Sequence, residues 1–590
     1  MKSKISLAAL LLFSTTILAV DPGHPIPPAP GKPGIFGVGF TNNTDTSARV
    51  VFTTSEPTSA TIVVTANGKE LSRVDQPAFD EIHSADLANL PKGEVCSIAI
   101  SGVTKDGKTV AAENQTLKPA LRAPSSHQWP GYTIFASTIN SKGDEGLNLM
   151  AQTGARMARM EISWYDLFPK GPDIDQVYLD HFLSRVAELK KRNIEPLLVL
   201  CYCVPWAKAY TATTMTWRHP SFGPPDSLED WEHYVRTAVT ALHGSVKYYE
   251  IWNEPDAGYL ATGNYIERPN LPPPIGRPPF KDNWQYWLGD RFVPMIERVR
   301  KIMDELQPDA IVMNGGWNRD YTGQRGDLLF ERGVAPYFDV YAFHTYCSNP
   351  MSFSRWYGAI DGGFRKNIDR IFDKHKVRMP LAVTEWGWPV WDQPNPEKGF
   401  VTFPDAQKFY IKSSFYFLSM QRMELLSQFS LGIGPHARDI DPAMFALASE
   451  DTDGKAVTEP TFMTFQWLAT TFGSRKYRAL PVQAIPDTQV KAYAIQMQDT
   501  GDTYLAVWQD GVPDAKGAIP PQPAQDVEVT VSDVKDGNYS LQNLDLVGNP
   551  TSQSQAAANH SLKLKLTLPE ISSTEESGIS LVKISGIKAQ

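Results

Sequence analysis

The stretch Val246-Lys-Tyr-Tyr-Glu-Ile-Trp-Asn-Glu-Pro255 reads as a buried β-strand that ends on a carboxylate. Tyr248, Tyr249, Ile251 and Trp252 form a β-favouring apolar run, and Pro255, which can neither donate to a ladder nor continue a helix, stops it at Asn253-Glu254. A second run of the same kind, Leu381-Ala-Val-Thr-Glu-Trp-Gly-Trp-Pro389, carries Glu385 near its end. Polar residues at the carboxyl ends of strands are where α/β barrels place their chemistry, and three βα units of roughly 40 residues each would fill the gap between the two glutamates. The two runs are therefore expected as strands four and seven of an eight-stranded (β/α)8 barrel.

The neighbouring sequence supplies the other strands. Tyr132 to Ser137, Ala155 to Ile162 and the continuous apolar run Pro196 to Cys201 precede the Glu254 strand. Ala310 to Asn314, Phe338 to Tyr346 and Leu425 to Leu431 fill the fifth, sixth and eighth places. Helical periodicity falls between them, at Val177 to Asn193, Trp284 to Leu306, Gly363 to Lys376 and Phe403 to Met423, with Phe462 to Phe472 as a closing helix. This alternation is that of a closed parallel barrel, expected over residues 130–473.

On either side the period changes to short alternating runs. Residues 35–120 hold four of them, separated by turn pairs such as Asn67-Gly68 and Asp106-Gly107, and predict a β-sandwich that resembles a fibronectin type III module in pattern alone. It shows no catalytic constellation, so a spacer or a docking module for a polymer or cell surface is its expected role. Residues 474–590 predict a second sandwich, with Gln553 to Asn559 read as a polar loop. At the amino terminus, Lys2 and Lys4 precede an apolar run to Val20 with Ala19 near a plausible cut. Residues 1–20 are thus expected to be a secretory signal and 21–34 a Pro-rich tether, which makes the protein secreted or periplasmic.

With 590 residues the chain is too long for one core, and a net charge of −9 argues against nucleic acid or an anionic membrane as partner. No membrane span is expected, since the amino-terminal apolar run is short for one. Four cysteines do not make a disulfide framework. Cys201 and Cys203 share one strand face and are poorly placed to bond each other, while Cys347 follows another strand and has the reach to meet one of them. A metal site from Cys201, Cys203 and His344 is outweighed by buried free thiols, and neither metal nor cofactor is expected.

Two acidic residues on rigid strand ends are what hydrolysis of a glycosidic bond requires, one to protonate the leaving oxygen and one to attack or activate water. Glu254 and Glu385 fit by type and placement. Asn253 is suited to donate to a sugar 2-hydroxyl, and His344 or Tyr346, closing the sixth strand, to hydrogen-bond Glu385. A satisfied core histidine is the competing reading of His344. A guanidinium from the second strand would lower the pKa of Glu385, with Arg159 preferred over Arg156. Trp164, Trp206, Trp386 and Trp388, at or after strand ends, are candidate stacking platforms for sugar faces, as are Trp252 and Trp317. Long loops follow strands three, four, seven and eight, the fourth rich in proline, and suggest a walled pocket.

Asn253-Glu254-Pro255, His344-Thr-Tyr346 and Thr384-Glu385-Trp386, in that order, resemble the glycoside hydrolase clan A barrels, family 39 and its relatives more than typical cellulases. The resemblance implies a retaining glycosidase acting by double displacement, with Glu254 as acid/base, Glu385 as nucleophile and an arginine, asparagine and tyrosine around the nucleophile. It departs from the clan at strand eight, where Phe429 stands in place of the frequent Trp and the next loop carries His436 and Asp439. It departs again on strand three, where Cys201-Tyr-Cys203 replaces the histidine of many cellulase-like members. A carbohydrate-binding protein on a dead barrel and a transglycosylase are the alternatives.

Overall fold

A computed structural model describes residues 34–586 apart from 113, 121, 140–143, 208–222, 258–284, 319, 321, 347–363, 391–400, 433–444, 451–454, 486–489, 510–520 and 572–577. The expected signal and tether, Cys347, His436 and Asp439, and most of the four long mouth loops lie outside the described residues. No described helix is long and apolar enough to cross a membrane.

The centre is a closed barrel of eight parallel strands: Ile134–Thr138, Met157–Ser163, Glu195–Cys201, Tyr248–Asn253, Ile311–Asn318, Tyr341–Thr345, Leu381–Trp386 and Met423–Gln428. The eighth pairs with the first, Leu425 opposite Ile134, which removes both sheet edges. Each strand is followed by a helix, among them Gln176–Lys191, Leu228–Leu242, Val293–Leu306 and Phe403–Ser419. Local chemistry starts these helices where they must start. Asp175, Ser227 and Thr402 each accept the backbone N–H three residues on, and Pro404 fits the first turn of its helix. The fourth helix opens with a turn of π-helix, Tyr286–Phe292, packed under the amino-terminal sheet.

The barrel interior is filled in layers. Its amino-terminal end is closed by Ile134, Met157, Leu197, Tyr248, Met313, Ala342, Ala382 and Leu425. Side chains alternate along each strand, so the next inward positions above this plug are polar: Arg159, Glu250, His344 and Thr384, all buried. Packing an apolar floor beneath a polar layer aims the chemistry toward the carboxyl ends of the strands.

The amino-terminal unit is built around two 19-residue strands, Ala48–Ala66, where the runs from Ala48 and from Ala60 had suggested two separate strands, and Lys69–Leu87, where none of the runs lay. The first half of Ala48–Ala66 pairs with Ile35–Thr41 and its second half with Cys96–Thr104, with register breaks around Thr58. A long strand that bends and changes partners closes one core, formed by Val50, Phe52, Ile62, Val64 and Ile98. This unit is fastened to the barrel by Thr53 Oγ1 and Tyr286 OH at 2.6 Å and by Asn43 Nδ2, which donates to Glu297 at 2.9 Å. The carboxy-terminal unit has a six-stranded and a three-stranded sheet around Val507, Val529, Leu562 and Ile584. It packs Ile495 and Trp508 into the same core as the barrel's outer helices. Residues 553–558, read as a loop, belong to the strand Pro550–Ala558. That strand lies at the edge of its sheet and is exposed on both faces almost throughout, so it carries no apolar alternation to betray it.

Candidate active site

The strand carrying Glu254 ends in unusual backbone. Trp252 and Glu254 have φ of +68° and +42°, a region that residues other than glycine rarely enter. The next strand makes room for this bend with glycine. A Cβ on Gly315 would stand 2.5 Å from the carbonyl oxygen of Ile251, and one on Gly316 would stand 2.2 Å from Nε2 of His344. The result turns Glu254 toward Glu385, and the nearest ligand atoms of Glu254, His344 and Glu385 all lie within 4.8 Å of one another.

Arg159 ties the lower half of the site together. Its Nε donates to Glu250 Oε2 at 2.7 Å, one terminal nitrogen to Glu385 Oε1 at 2.7 Å and the other to Asn253 Oδ1 at 2.8 Å. Glu250 is fully buried and is further held by the N–H of Gly316 at 2.8 Å and the hydroxyl of Thr384 at 2.9 Å. A buried carboxylate is tolerable on these terms, because a cation and two donors replace its water. Asn253 in turn donates to the hydroxyl of Tyr202 at 2.8 Å. Arg156, by contrast, is exposed at the other end of the strand.

Tyr346 donates to Glu385 Oε2 at 2.6 Å, while burial and the Glu385 charge raise the phenol well above its ordinary pKa, so it stays a donor. His344 sits nearer the other glutamate. Its Nδ1 is 2.8 Å from Glu254 Oε1 and 3.4 Å from Glu385 Oε2. Burial pushes the imidazole down to about 4 against the pull of Glu385 and Glu250, which leaves a neutral ring. The hydrogen-bond network assigns its one proton to Nδ1. Asn318 Nδ2 donates to the second oxygen of Glu254 at 3.0 Å. Glu385 departs from expectation. Burial, aided by the charge of Glu254, raises its pKa, and His344, Arg159 and Tyr346 offset that without reversing it.

The tryptophans divide differently from the expectation. Trp164 is buried and stacked on Tyr234 with centroids 5.1 Å apart. Trp386 donates to Ser413 at 2.9 Å and Trp388 stacks on Phe409 at 5.2 Å, so both point outward into the helix Phe403–Ser419. These three, with the fully buried Trp252 and Trp317, are packing residues between strands and helices, not platforms. Trp206 alone of the group is partly exposed, edge-on to Trp164. At the end of strand eight, Phe429 joins Tyr346 and Phe445 in a small aromatic cluster. Cys201 and Cys203 are buried free thiols, and burial raises the Cys201 pKa well above its usual value. His344 faces the carboxylates, and among the described residues the grouping able to hold a cation is Glu254, His344 and Glu385 themselves, not the cysteines.

Glu250, Tyr202, Asn318, Asp256 and Glu161 escaped the sequence reading. Glu250 alone left a signal, an acid inside an otherwise apolar buried run, which demands a buried partner. Glu161 lies two residues beyond Arg159 on the same inward face of its strand and is partly exposed. Its pKa is pushed up to about 7 by burial, which Arg159 opposes and Glu385, Glu250 and Asp166 reinforce.

The fold and this constellation define an α/β barrel with paired carboxylates at its mouth. The glycosyl hydrolase family 1 profile matches residues 101–283, from the end of the amino-terminal unit through the Glu254 strand. Beta-glucosidase 47 of Arabidopsis thaliana is 26% identical over 211 residues, 32% of this chain and 36% of its own length. The 6-phospho-beta-glucosidase AscB of Escherichia coli is 35% identical over 114 residues, 19% of this chain and 22% of its own. The chain thus spans about a third or less of the curated relatives it matches. A family 39 glycoside hydrolase from Bacteroides cellulosilyticus superposes with a TM-score of 0.50 at 15% identity, covering 94% of this chain and 100% of that one, and shares the fold. In its closed barrel and in its family 1 match over residues 101–283 the chain is similar to the clan A glycoside hydrolase barrels.

Proposed function

We propose that this protein is a retaining glycoside hydrolase in which Glu385 is the nucleophile and Glu254 the acid/base. The observation that carries the reading is the approach of one oxygen from each carboxylate to within 4.8 Å of the other at the ends of strands four and seven. Retaining pairs stand about 5–5.5 Å apart, whereas inverting pairs need about 6.5–9.5 Å to admit a water between them.

Each carboxylate is equipped for a different task. Glu385 receives a guanidinium on one oxygen and a phenol on the other, both donors that favour the anion needed for attack at the anomeric carbon. Glu254 is flanked by His344 and Asn318, neither of which carries a formal positive charge at neutral pH, so nothing in that pair opposes its holding a proton as strongly as Arg159 would. In the first step Glu385 bonds the sugar while Glu254 gives its proton to the departing oxygen. In the second, Glu254 takes a proton from water, which attacks the same carbon and frees Glu385. Asn253 spends one amide N–H on Tyr202, and its second is the donor proposed for the sugar 2-hydroxyl. Trp206 remains the proposed platform.

The substrate is proposed to be a β-linked glucoside or a close relative, since the matched curated proteins are named β-glucosidases and 6-phospho-β-glucosidases. Export by the amino-terminal segment, and a fibronectin-like spacing or docking role for residues 35–120, are proposals that rest on sequence pattern. A panel of aryl glycosides and oligosaccharides tests the activity. Turnover of at least one glycoside, lost in Glu385→Ala, supports it. Binding of sugars without turnover would instead favour a carbohydrate-binding barrel, and product extended by added sugar acceptors a transglycosylase.

A further inference from the structure

Glu254 needs something to hold it, because the backbone that aims it is strained. Left-handed φ at Trp252 and at Glu254 is unfavourable for residues other than glycine and persists only where surrounding contacts impose it. Those contacts converge on the turn just after Glu254. Asp256 is buried, and its Oδ1 accepts the backbone N–H of Asn318 at 2.7 Å, while its Oδ2 is 3.4 Å from Nε of Arg325. Arg325 is itself placed by Asp320, whose Oδ2 accepts the N–H groups of Arg325 and Gly326, each at 3.0 Å. The residue so fastened, Asn318, is the one whose side-chain amide reaches Glu254 Oε2 at 3.0 Å.

We propose that Asn318 is a positioning residue for the acid/base, and that Asp256, through Arg325 and Asp320, is the clamp that fixes it. The inference rests on the reading of Glu254 as acid/base. One carboxylate pins the main chain of the fifth strand, and the side chain at that same position pins the other carboxylate. Among the described residues, the titratable and charged groups that bear on Glu254 include His344 from the sixth strand, Tyr346 just beyond it, Glu385 from the seventh and Asp256 from the following turn.

The experiment compares wild type, Asn318→Ala, Asn318→Asp and Asp256→Asn on two aryl versions of one glycoside, with p-nitrophenol and 2,4-dinitrophenol as leaving groups, across pH. Help from a general acid matters where the leaving group is poor. Asn318→Ala is expected to lower kcat/KM about 10- to 100-fold on the poorer leaving group, with about threefold or less change on the better one. The alkaline limb of its pH profile moves upward, because a donor to the carboxylate is lost, and Asn318→Asp moves it further by adding a like charge. Asp256→Asn shows the same selective loss in smaller measure. An equal loss on both substrates, or alkaline limbs that stay in place, overturns the inference, and melting curves separate these outcomes from unfolding. Glu254→Ala is measured alongside. If it lacks leaving-group dependence and azide rescue, the acid/base reading fails. If it shows both while the Asn318 variants leave the limb unmoved, only the positioning role fails.

Discussion

Arg159 and Glu385 form a buried ion pair at 2.7 Å, and the same guanidinium holds Glu250 and Asn253. One cation thus fixes the carboxylate of the proposed nucleophile, a structural acid beneath it and an amide beside it. Burial nonetheless lifts the pKa of Glu385, so the ionised form depends on every donor that reaches it.

Tyr346→Phe tests that dependence. It removes the 2.6 Å donor from Glu385 without altering shape. Hydrogen bonds to charged groups contribute about 1.5–3 kcal/mol, so kcat/KM should fall roughly 10- to 100-fold. The acid limb of the pH profile should move up, because the anion loses a stabilising donor. A limb that stays in place would show that Tyr346 does not help to hold the charge.

Gly316→Ala should separate activity from folding. The added Cβ would come 2.2 Å from His344 Nε2 and 2.6 Å from Thr384 Oγ1, so the imidazole must move away from the carboxylates. A cost of about 1–3 kcal/mol in stability is expected from overpacking, with a loss of activity far beyond it. Thermal melting and kinetics on the same preparation check this. A variant of normal activity would mean that His344 is not needed where it stands.

Glu297→Gln should stabilise the protein at alkaline pH. Glu297 is buried under the amino-terminal sheet, one oxygen taking a hydrogen bond from Asn43, and burial pushes its pKa up to about 8 against Lys301 and Arg298. A raised carboxyl holds its proton in the fold and releases it near 4.5 when unfolded, so wild-type stability declines as pH rises from about 4.5 to about 8. The glutamine variant lacks that decline. Its Tm should exceed that of wild type by about 2 °C or more at pH 9 and by little at pH 5. A difference independent of pH would contradict the assignment.

How much of this was legible beforehand follows from the physics of each element. The barrel strands are continuous apolar runs bounded by polar ends, and both glutamates stand where those runs stop, so strands four and seven and their carboxylates could be read directly. Tyr346 and Arg159 followed from the need to keep one carboxylate charged. The partners of Glu254 could not be read that way. His344 turns to Glu254 more closely than to Glu385 because glycine at 316 lets the ring pass, a steric fact without a sequence pattern. Asn318 and Asp256 meet only through a backbone bend. The tryptophans misled for a simpler reason: a flat apolar ring at a strand end serves equally as a sugar platform or as filler against the next helix, and Trp164, Trp386 and Trp388 are filler. In the amino-terminal unit, Ala48–Ala66 read as two strands because its alternation breaks where it bends near Thr58.

The account stands most directly on the stereochemistry of the first product. With an oxygen of each carboxylate within 4.8 Å of the other, the proposed mechanism has Glu385 itself attack, through a covalent glycosyl-enzyme and a second inversion. Proton NMR of a cleaved aryl glycoside, recorded before mutarotation, should show the anomer of the substrate as the first-formed sugar. First formation of the opposite anomer would contradict the double displacement and remove Glu385 as nucleophile.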